Sequence, residues 1–403
     1  MSDMIDYNIV KITDLGTVNR GRSKHRPRND SILYGGEYPF IQTADVKRAN
    51  LYLSDYSQTY NEIGLKQSKL WKKGTLCITI AANIADSAIL DIDACFPDSI
   101  IGFLPYVNVS DTIYVKYLFD ELKLYFQQIS KGTTQDNLSL DKICRVKLRV
   151  PNYETQKKIA SVLSTYDNLI ENNNKRINLL EKMSENLYKE WFVRFRFPGY
   201  ENVEFENRIP VNWCIKQLCN FGRIETGKTP PKINENNYGD EFMFIKTPDM
   251  HDNIFVSSTD EYLSLVGHKT QSNKLLPPKS IMVSCIGTGG IVAINAYPAH
   301  TNQQINSIIL NDIVYLEWLY FVCKDKKETI NMFGATGSTM TNLSKGKFEK
   351  LKILTPPKNL IVKYHQLTEE MFSEIECLIR ENELLTKQRE MLLPRLMSGK
   401  IEV

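Results

Sequence analysis

The amino-acid sequence predicts an α+β protein with two pseudo-symmetric mixed α/β domains, each followed by a long helix, the two helices packing as an antiparallel coiled coil. Two observations predict this fold. Residues 153–192 contain neither Pro nor Gly, and their apolar side chains recur at intervals of seven residues. The same periodicity returns near the end of the chain, after a stretch that repeats the first half of the sequence. Long helices with this periodicity usually pack against a partner helix.

The apolar positions of the two predicted helices form rows. In the first helix the two rows are Ile159, Tyr166, Leu180, Leu187 and Leu163, Ile170, Ile177, Trp191. In the second helix the row is Tyr364, Met371, Leu378, Leu385, Leu392. Asn173 interrupts the first row, and Asn382 lies on the row beside the second. The alternative for each stretch is an ordinary amphipathic helix packed on a globular core.

The two halves of the chain repeat each other. Residues 132–151 and 337–356 are identical at eight of 20 positions without a gap, and FIQTADV at 40–46 corresponds to FIKTPDM at 244–250. Within the first half, residues 37–43, 74–80 and 145–150 have strand character, and residues 114–129 are predicted to be helical. We therefore predict a first domain at 1–150, a central helix at 151–196, a linker at 197–209, a second domain at 210–356 and a C-terminal helix at 357–403.

Composition limits the classes of function. The formal net charge of +3 over 403 residues means that any surface for nucleic acid must be local. Eight Cys without a CxxC pair, together with only five His, predict no metal site. The first residues do not resemble a signal peptide, and no 18-residue apolar segment occurs. We expect a soluble, cytoplasmic protein without a membrane partner.

The densest basic segment, residues 19–30, is predicted to be a loop because it contains Gly21 and Pro27. Its candidate DNA-binding residues are Arg20, Arg22, Lys24, His25, Arg26 and Arg28, and those of the corresponding loop in the second half are Lys228, Thr229 and Lys232. Such cations neutralise phosphates, and Arg also forms paired hydrogen bonds with guanine. The alternative interpretation is a solvated surface loop.

Two further kinds of polar segment are candidates for DNA contact. Loops rich in Gly and hydroxyl residues contribute Thr133, Thr134, Gln135, Asn137 and, in the second half, Ser338, Thr339, Asn342. Polar residues that follow a predicted strand contribute Gln42, Thr43, Asp45 and, in the second half, Lys246, Thr247, Asp249, with Gln303 from a separate segment. The alternative for the loops is a turn with a helix cap at Asn137 or Ser139.

No catalytic motif is found. The sequence lacks a GxxxxGK[ST] phosphate-binding loop, a [DN]PP[YF] methylase tetrad and a nucleophile elbow, and the glycines at 287–290 are too few for a dinucleotide-binding fingerprint. We therefore predict no catalytic residue and no enzymatic activity for the chain itself.

These segments together resemble the specificity (S) subunit of Type I restriction-modification systems. The resemblance covers essentially the whole chain and rests on residues 137–151, QKKIASVLSTYDNLIE at 156–171, NWCIKQL at 212–218, YPFIQTADV at 38–46 and LLPRLMSGKIEV at 392–403. The second copy of the helix motif is less typical, because LIVKYHQLTEEMF at 360–372 replaces the QKKIA pattern.

The resemblance implies that each domain is a target-recognition domain that reads one half of a bipartite, asymmetric site in double-stranded DNA. It also implies that the long helices hold the half-sites apart, that two methyltransferase (M) subunits dock on the chain, and that restriction/translocase (R) subunits join them. S-adenosylmethionine, ATP and Mg²⁺ would belong to those partners, and the chain would hold no cofactor. Two alternatives remain: the recognition module of a fused restriction enzyme, and a helical interaction protein without a nucleic-acid role.

Overall fold

The computed structural model describes residues 7–130, 138–334 and 341–403. The chain divides into two compact units, one formed by Met1–Glu171 with Leu384–Val403 and the other by Asn172–Glu383. Both boundaries fall inside long helices. Each unit therefore contains its own repeat of strands and short helices together with a segment of both long helices.

The first unit contains eleven described strands and seven described helices, the last of which continues into the second unit. The strands are β1 (Tyr7–Val10), β2 (Gly16–Arg20), β3 (Tyr34–Phe40), β4 (Tyr52–Leu53), β5 (Gln58–Tyr60), β6 (Leu70–Trp71), β7 (Leu76–Thr79), β8 (Ser87–Leu90), β9 (Ala94–Cys95), β10 (Ile100–Pro105) and β11 (Leu148–Pro151). The helices are α1 (Ile12–Leu15), α2 (Thr43–Arg48), α3 (Glu62–Gln67), α4 (Thr112–Glu121), α5 (Lys123–Ser130), α6 (Leu140–Arg145) and α7 (Tyr153–Tyr188).

A five-stranded sheet in the order β2-β10-β7-β8-β4 forms the centre of the first unit. A four-stranded sheet in the order β5-β3-β9-β6 and the antiparallel pair β1-β11 complete it. Side chains of β7 alternate between two cores, because Leu76 and Ile78 join one apolar cluster while Cys77 joins another. This two-residue alternation explains why the strand reads as a continuous apolar run: both faces of the sheet are covered.

The second unit is built from fifteen described strands and six described helices that begin after α7. The strands are β12 (Phe205–Glu206), β13 (Ile209–Pro210), β14 (Cys214–Gln217), β15 (Gly222–Thr226), β16 (Tyr238–Gly239), β17 (Phe242–Ile245), β18 (Phe255–Val256), β19 (Tyr262–Leu263), β20 (Ile281–Ser284), β21 (Ile286–Gly287), β22 (Val292–Asn295), β23 (Ala299–Thr301), β24 (Ile305–Leu310), β25 (Thr341–Asn342) and β26 (Lys352–Thr355). The helices are α8 (Thr247–Met250), α9 (Leu265–Lys269), α10 (Leu316–Asp325), α11 (Lys327–Gly334), α12 (Lys345–Glu349) and α13 (Lys358–Met397), the last of which ends in the first unit.

The sheets of the second unit repeat those of the first. The five-stranded order β15-β24-β20-β22-β18 corresponds to β2-β10-β7-β8-β4, and the pair β14-β26 corresponds to β1-β11. In the small sheets, β17 pairs in parallel with β23 as β3 pairs with β9. The predicted fold class of two repeated mixed domains with long helices is therefore confirmed.

Two helices end differently from what the sequence suggested. The helical segment predicted from Tyr114 is interrupted at Leu122, so that α4 and α5 are separate. The α-helical part of α7 ends at Tyr188, and one π-helical turn, Lys189–Val193, follows it. This turn places Trp191 and Phe192 in the aromatic core of the second unit, where both are buried. Apolar periodicity does not distinguish such a turn from the end of a regular helix.

Within the second unit, α7 and α13 pack side by side in antiparallel directions. The backbone carbonyl of Ser184 accepts a hydrogen bond from the Tyr364 hydroxyl at 2.9 Å, whereas the side chain of Asn174, ten residues earlier, accepts one from the Asn382 side chain at 2.8 Å. Asn173, the residue that interrupts the apolar row, is buried and donates to the Glu381 carboxylate at 3.1 Å. The predicted antiparallel helix pair is confirmed, with polar residues paired inside it.

Within the first unit, the other ends of the same helices enclose a buried ionic contact. Asp167 is 1% exposed, and its carboxylate accepts hydrogen bonds from the Tyr117 hydroxyl and from the Arg389 guanidinium. Ile159 and Leu163 are fully buried beside it in the apolar core. Burial and the adjacent Asp167 charge raise the pKa of Tyr117 above its ordinary range, so the phenol remains protonated and acts as the donor.

We predict that Arg389→Ala destabilises the first unit by about 3 kcal/mol, because it leaves the Asp167 carboxylate buried without a counter-charge. The expected fall in melting temperature is roughly 6–12 °C. Arg176→Ala is the matched control, because it removes an ion pair with Glu374 between the same two helices. The side chains of Arg176 and Glu374 are 50% and 42% exposed. Exposed pairs contribute about 1 kcal/mol or less. Thermal unfolding followed by circular dichroism measures both, and equal shifts would contradict the prediction.

Candidate nucleic-acid interface

The basic loop of the first unit is fixed by the main chain of a neighbouring turn. After β2, the Gly21 amide donates to the carbonyl oxygen of Ile100 at 2.8 Å, and the Arg22 amide donates to that of Phe96 at 3.0 Å. A Cβ atom at Gly21 would lie 2.2 Å from the carbonyl oxygen of Pro97, so a residue with a side chain does not fit there. The loop therefore runs directly against the turn 97–99, which joins β9 to β10.

The same loop is also held by the side chains of Gln67 and Ser68, and the Ser68 hydroxyl donates to the carbonyl oxygen of Arg22 at 2.8 Å. The side-chain oxygen of Gln67, Oε1, accepts hydrogen bonds from the backbone amides of Lys24 at 2.6 Å and His25 at 3.1 Å. The Arg26 guanidinium donates to the backbone carbonyls of Ser23 and His25, both at 2.8 Å. Arg26 thus stabilises the loop itself, and its charge remains exposed.

Three cations, Arg20 at the end of β2 and Arg22 and Lys24 in the loop, are exposed at the surface. Within the described parts of the chain, none of their charged groups has a hydrogen-bond or ion-pair partner. No nearby carboxylate offsets the positive potential of a cation without a protein partner, so such a cation attracts an anionic ligand more strongly. These three side chains are therefore the best placed of the predicted residues to contact phosphate groups.

The other two basic residues of the loop are paired with carboxylates. One nitrogen of the Arg28 guanidinium, Nη2, contacts both carboxylate oxygens of Asp98, at 2.6 and 2.8 Å. His25 Nε2 lies 2.9 Å from the Asp30 carboxylate. The hydrogen bond from His25 lowers the pKa of the Asp30 carboxyl group, so this group stays ionised at neutral pH. Sequence analysis identified both cations and missed both partners.

The second unit anchors its corresponding loop in the same way. The Gly227 amide donates to the carbonyl of Ile305 at 3.2 Å, and the Lys228 amide to that of Thr301 at 2.9 Å. A Cβ atom at Gly227 would lie 2.2 Å from the carbonyl oxygen of Asn302. The structure thus brings the predicted residues Lys228, Thr229 and Gln303 together, and the Thr229 hydroxyl donates to the Gln303 side-chain oxygen at 2.5 Å.

The polar residues predicted after a strand begin a short helix in each unit. Gln42 and Lys246 are the N-caps of α2 and α8, and their backbone amides donate to Asp45 at 2.8 Å and Asp249 at 2.7 Å. Asp45 is buried and also binds Arg48. Both carboxylates therefore complete helix caps, which is a structural function. A contact of either one with DNA stays a prediction.

The remaining residues of these two segments lie at or near the surface, with one exception. The side-chain amide of Gln42 donates to the side-chain oxygen of Gln58 at 2.7 Å, and Thr43 is partly exposed. Thr247 is buried, and its hydroxyl has no partner among the described atoms. Lys246 binds the Glu261 carboxylate, which the nitrogen of Lys232 approaches to 3.9 Å.

Six predicted residues lie outside the described part of the chain, namely Thr133, Thr134, Gln135, Asn137, Ser338 and Thr339. Asn342 is described: it is exposed on β25, opposite Ile286 of β21. Ser139 caps α6 by accepting the backbone amide of Lys142 at 3.2 Å, which is the alternative that the sequence left open for this segment.

Asp98, Asp30, Gln67 and Glu261 are the site residues that sequence analysis missed. Only one of them carried a signal in the sequence. Asp98 lies in the segment 97–99, which corresponds to 302–304 in the repeat, and the structure shows that the two segments form equivalent turns. Gln67 and Glu261 each lie among other polar residues, and no motif distinguishes them from their neighbours.

The described residues contain no group of three or more His, Cys, Asp or Glu side chains able to hold a metal ion. In the same residues, no helix combines the length and the apolar character needed to cross a membrane.

Comparison with known proteins identifies the family. The sequence profile of the Type I restriction modification DNA specificity domain matches residues 4–182 and again residues 210–390. The Type I restriction enzyme HindI specificity subunit of Haemophilus influenzae is 30% identical, and the match covers 100% of both chains. The MjaIX specificity subunit of Methanocaldococcus jannaschii is 27% identical over 99% of this chain and 94% of that protein.

A solved structure has the same fold. The crystal structure of the Type I restriction-modification S subunit from M. genitalium matches with a TM-score of 0.61 and 14% sequence identity, covering 98% of this chain and 97% of that one. The two matches to the family profile coincide with the two structural repeats. The chain therefore belongs to the family of Type I restriction-modification specificity subunits.

Proposed function

We propose that this chain is the DNA sequence-recognition subunit of a Type I restriction-modification enzyme. Each repeat binds one half of a bipartite, asymmetric site in double-stranded DNA, and the chain carries two M subunits and the R subunits. One observation supports this proposal most directly: both units present a polar loop after the first strand of the five-stranded sheet, anchored through the same glycine contact on the same turn. Two copies of one recognition loop suit a site with two halves.

The charge distribution supports DNA rather than protein as the ligand of these loops. Arg20 at the end of β2, with Arg22 and Lys24 in the loop after it, are three close cations without a partner among the described residues, although the net charge of the whole chain is only +3. Phosphate contacts position a protein on DNA, and hydrogen bonds to base edges supply the sequence information. The loop offers both, because Arg28 follows on the same rigid backbone.

Chemistry is assigned to the partner subunits in this proposal. The sequence lacks both a methylase tetrad of the [DN]PP[YF] type and a GxxxxGK[ST] loop. As membership of the family implies, we assign S-adenosylmethionine to the M subunits, and ATP and Mg²⁺ to the R subunits. The chain contributes recognition and assembly, without a catalytic residue or cofactor of its own.

The first prediction from the proposed function concerns enzymatic activity. The purified chain alone transfers no methyl group from labelled S-adenosylmethionine to DNA, and the complex with its M subunit does. The measurement is the radioactivity incorporated into genomic DNA that carries no earlier modification. The M subunit alone is the control, and we expect it to lack sequence-specific transfer. Methylation of DNA by the isolated chain would refute the assignment of a non-catalytic role.

The second prediction concerns phosphate contacts. Arg20→Ala and Arg22→Ala each reduce the slope of log binding constant against log salt concentration by about 0.9, because each removes one counter-ion-releasing contact. Binding of the chain–M complex to DNA is measured at several salt concentrations. Lys72→Ala is the control, since Lys72 is 75% exposed and paired with Asp93 at 2.7 Å. An unchanged slope in both Arg variants would mean that the loop is merely solvated.

The third prediction concerns modularity. Replacing residues 1–149 with the corresponding region of a relative that has another DNA site changes one half-site and preserves the other. The reason is that each repeat has its own sheets, apolar cores and recognition loop. Sequencing the methylated adenines and cytosines of cells that express the chimaera with its M subunit gives both half-sites. A chimaera that alters both half-sites would show joint reading of the DNA.

A further inference from the structure

The turn that anchors the loop carries a polar side chain at the same position in both units, Asp98 in the first and Gln303 in the second. Each of these side chains forms a hydrogen bond with a side chain of the loop. The carbonyls of Phe96 and Ile100 bracket Asp98, and the carbonyls of Thr301 and Ile305 bracket Gln303. These carbonyls accept amides of the anchored loops in the same pattern. Asp98 and Gln303 are thus equivalent in place, although one is acidic and the other neutral.

In the first unit, the residue at this position, Asp98, fixes the orientation of the Arg28 guanidinium. The Arg28 and Asp98 side chains are 49% and 38% exposed, and their contact uses one guanidinium nitrogen, Nη2. Among the described residues, Nε and Nη1 of Arg28 have no partner. A carboxylate this close repels a phosphate, so the pair is poorly suited to a backbone contact. It leaves Nε and Nη1 as free donors in the fixed plane of the guanidinium, and guanine is the base that presents only acceptors, O6 and N7, on its edge in the major groove.

In the second unit the same position carries an amide. The Thr229 hydroxyl donates to the side-chain oxygen of Gln303, which is exposed. This contact turns the oxygen towards Thr229 and leaves the NH₂ group, together with the second lone pair of the oxygen, for a ligand. A glutamine amide with one free donor and one free acceptor matches N7 and N6 of adenine in the major groove.

We propose that this shared position determines one base in each half-site: Arg28, held by Asp98, reads a guanine, and Gln303, oriented by Thr229, reads an adenine. The inference rests on the proposed function, since it assigns the bases that the two units read. Asp98 and Thr229 are positioning residues, because they act through the side chain that contacts the base. Arg20, Arg22 and Lys24 bind phosphate groups and carry no base preference.

The test uses the full chain expressed with its M subunit in cells whose DNA is sequenced for methylated bases. The unaltered chain first gives the reference motif. With Arg28→Ala we expect discrimination at one G·C pair of one half-site to fall by about 10- to 100-fold. Gln303→Ala has the same effect at one A·T pair of the other half-site. Gln303→Glu changes the preferred base at that pair to cytosine, because a carboxylate only accepts hydrogen bonds.

Two further variants separate positioning from simple structural support. Asp98→Asn relaxes the same base pair as Arg28→Ala, and it steepens the salt dependence of binding by about 0.9 because the Arg28 charge becomes available to a phosphate. Thr229→Val relaxes the same base pair as Gln303→Ala and leaves the salt dependence unchanged. Loss of structural support alone would lower affinity without steepening the slope. Lys72→Ala is the control and keeps both the motif and the slope.

The outcomes distinguish this inference from the proposed function. A reference motif that is absent or has a single part overturns the proposed function itself. A two-part reference motif that Arg28→Ala and Gln303→Ala leave unchanged, or relax at several pairs at once, overturns the inference alone. Co-purification of each variant with the M subunit at the unaltered ratio confirms that a changed motif reflects reading of DNA rather than failed assembly.

Discussion

The close main-chain contact at Gly21 and Gly227 is the constraint on which both candidate DNA-binding loops depend. In each unit the chain leaves the five-stranded sheet and passes so close to the neighbouring turn that a Cβ atom would lie 2.2 Å from a carbonyl oxygen. Two amide–carbonyl hydrogen bonds then fix the direction of the loop. Side chains that follow start from a rigid backbone, so less conformational entropy is lost when they bind a ligand. The glycine is required because the gap has no room for a side chain.

The helix pair shows how polar residues define register inside an apolar seam. From sequence, Asn173 was an interruption of the apolar row. In the second unit it is buried and bonded to Glu381, and the neighbouring Asn174 is bonded to Asn382. A one-residue shift of either helix would leave the buried Asn173 amide without its partner, which is costly. Paired polar residues in such seams reduce stability and exclude alternative registers.

Much of the fold could be predicted from sequence because its signals are local or repeated. Heptad rows marked α7 and α13, and the identities between 132–151 and 337–356 revealed the repeat. The partners of the charged side chains could not be predicted in this way. Arg28 and Asp98 are 70 residues apart, and only the topology of the small and large sheets brings them together. The break at Leu122 and the π-helical turn after Tyr188 were also missed, because neither contains Pro or Gly.

In the proposed function, cations with and without a carboxylate partner contribute differently to DNA binding: those without one contribute affinity, and those with one contribute sequence specificity. In the function proposed above, Arg20 and Arg22, which have no partner among the described residues, bind any sequence through its phosphates, and their contribution weakens as salt increases. Arg28 and Lys246 are each matched by a carboxylate, Asp98 and Glu261. A matched cation contributes little to non-specific attraction, but its free N–H groups keep a defined direction. A surface that neutralises part of its own charge therefore gives up non-specific affinity in favour of discrimination between bases.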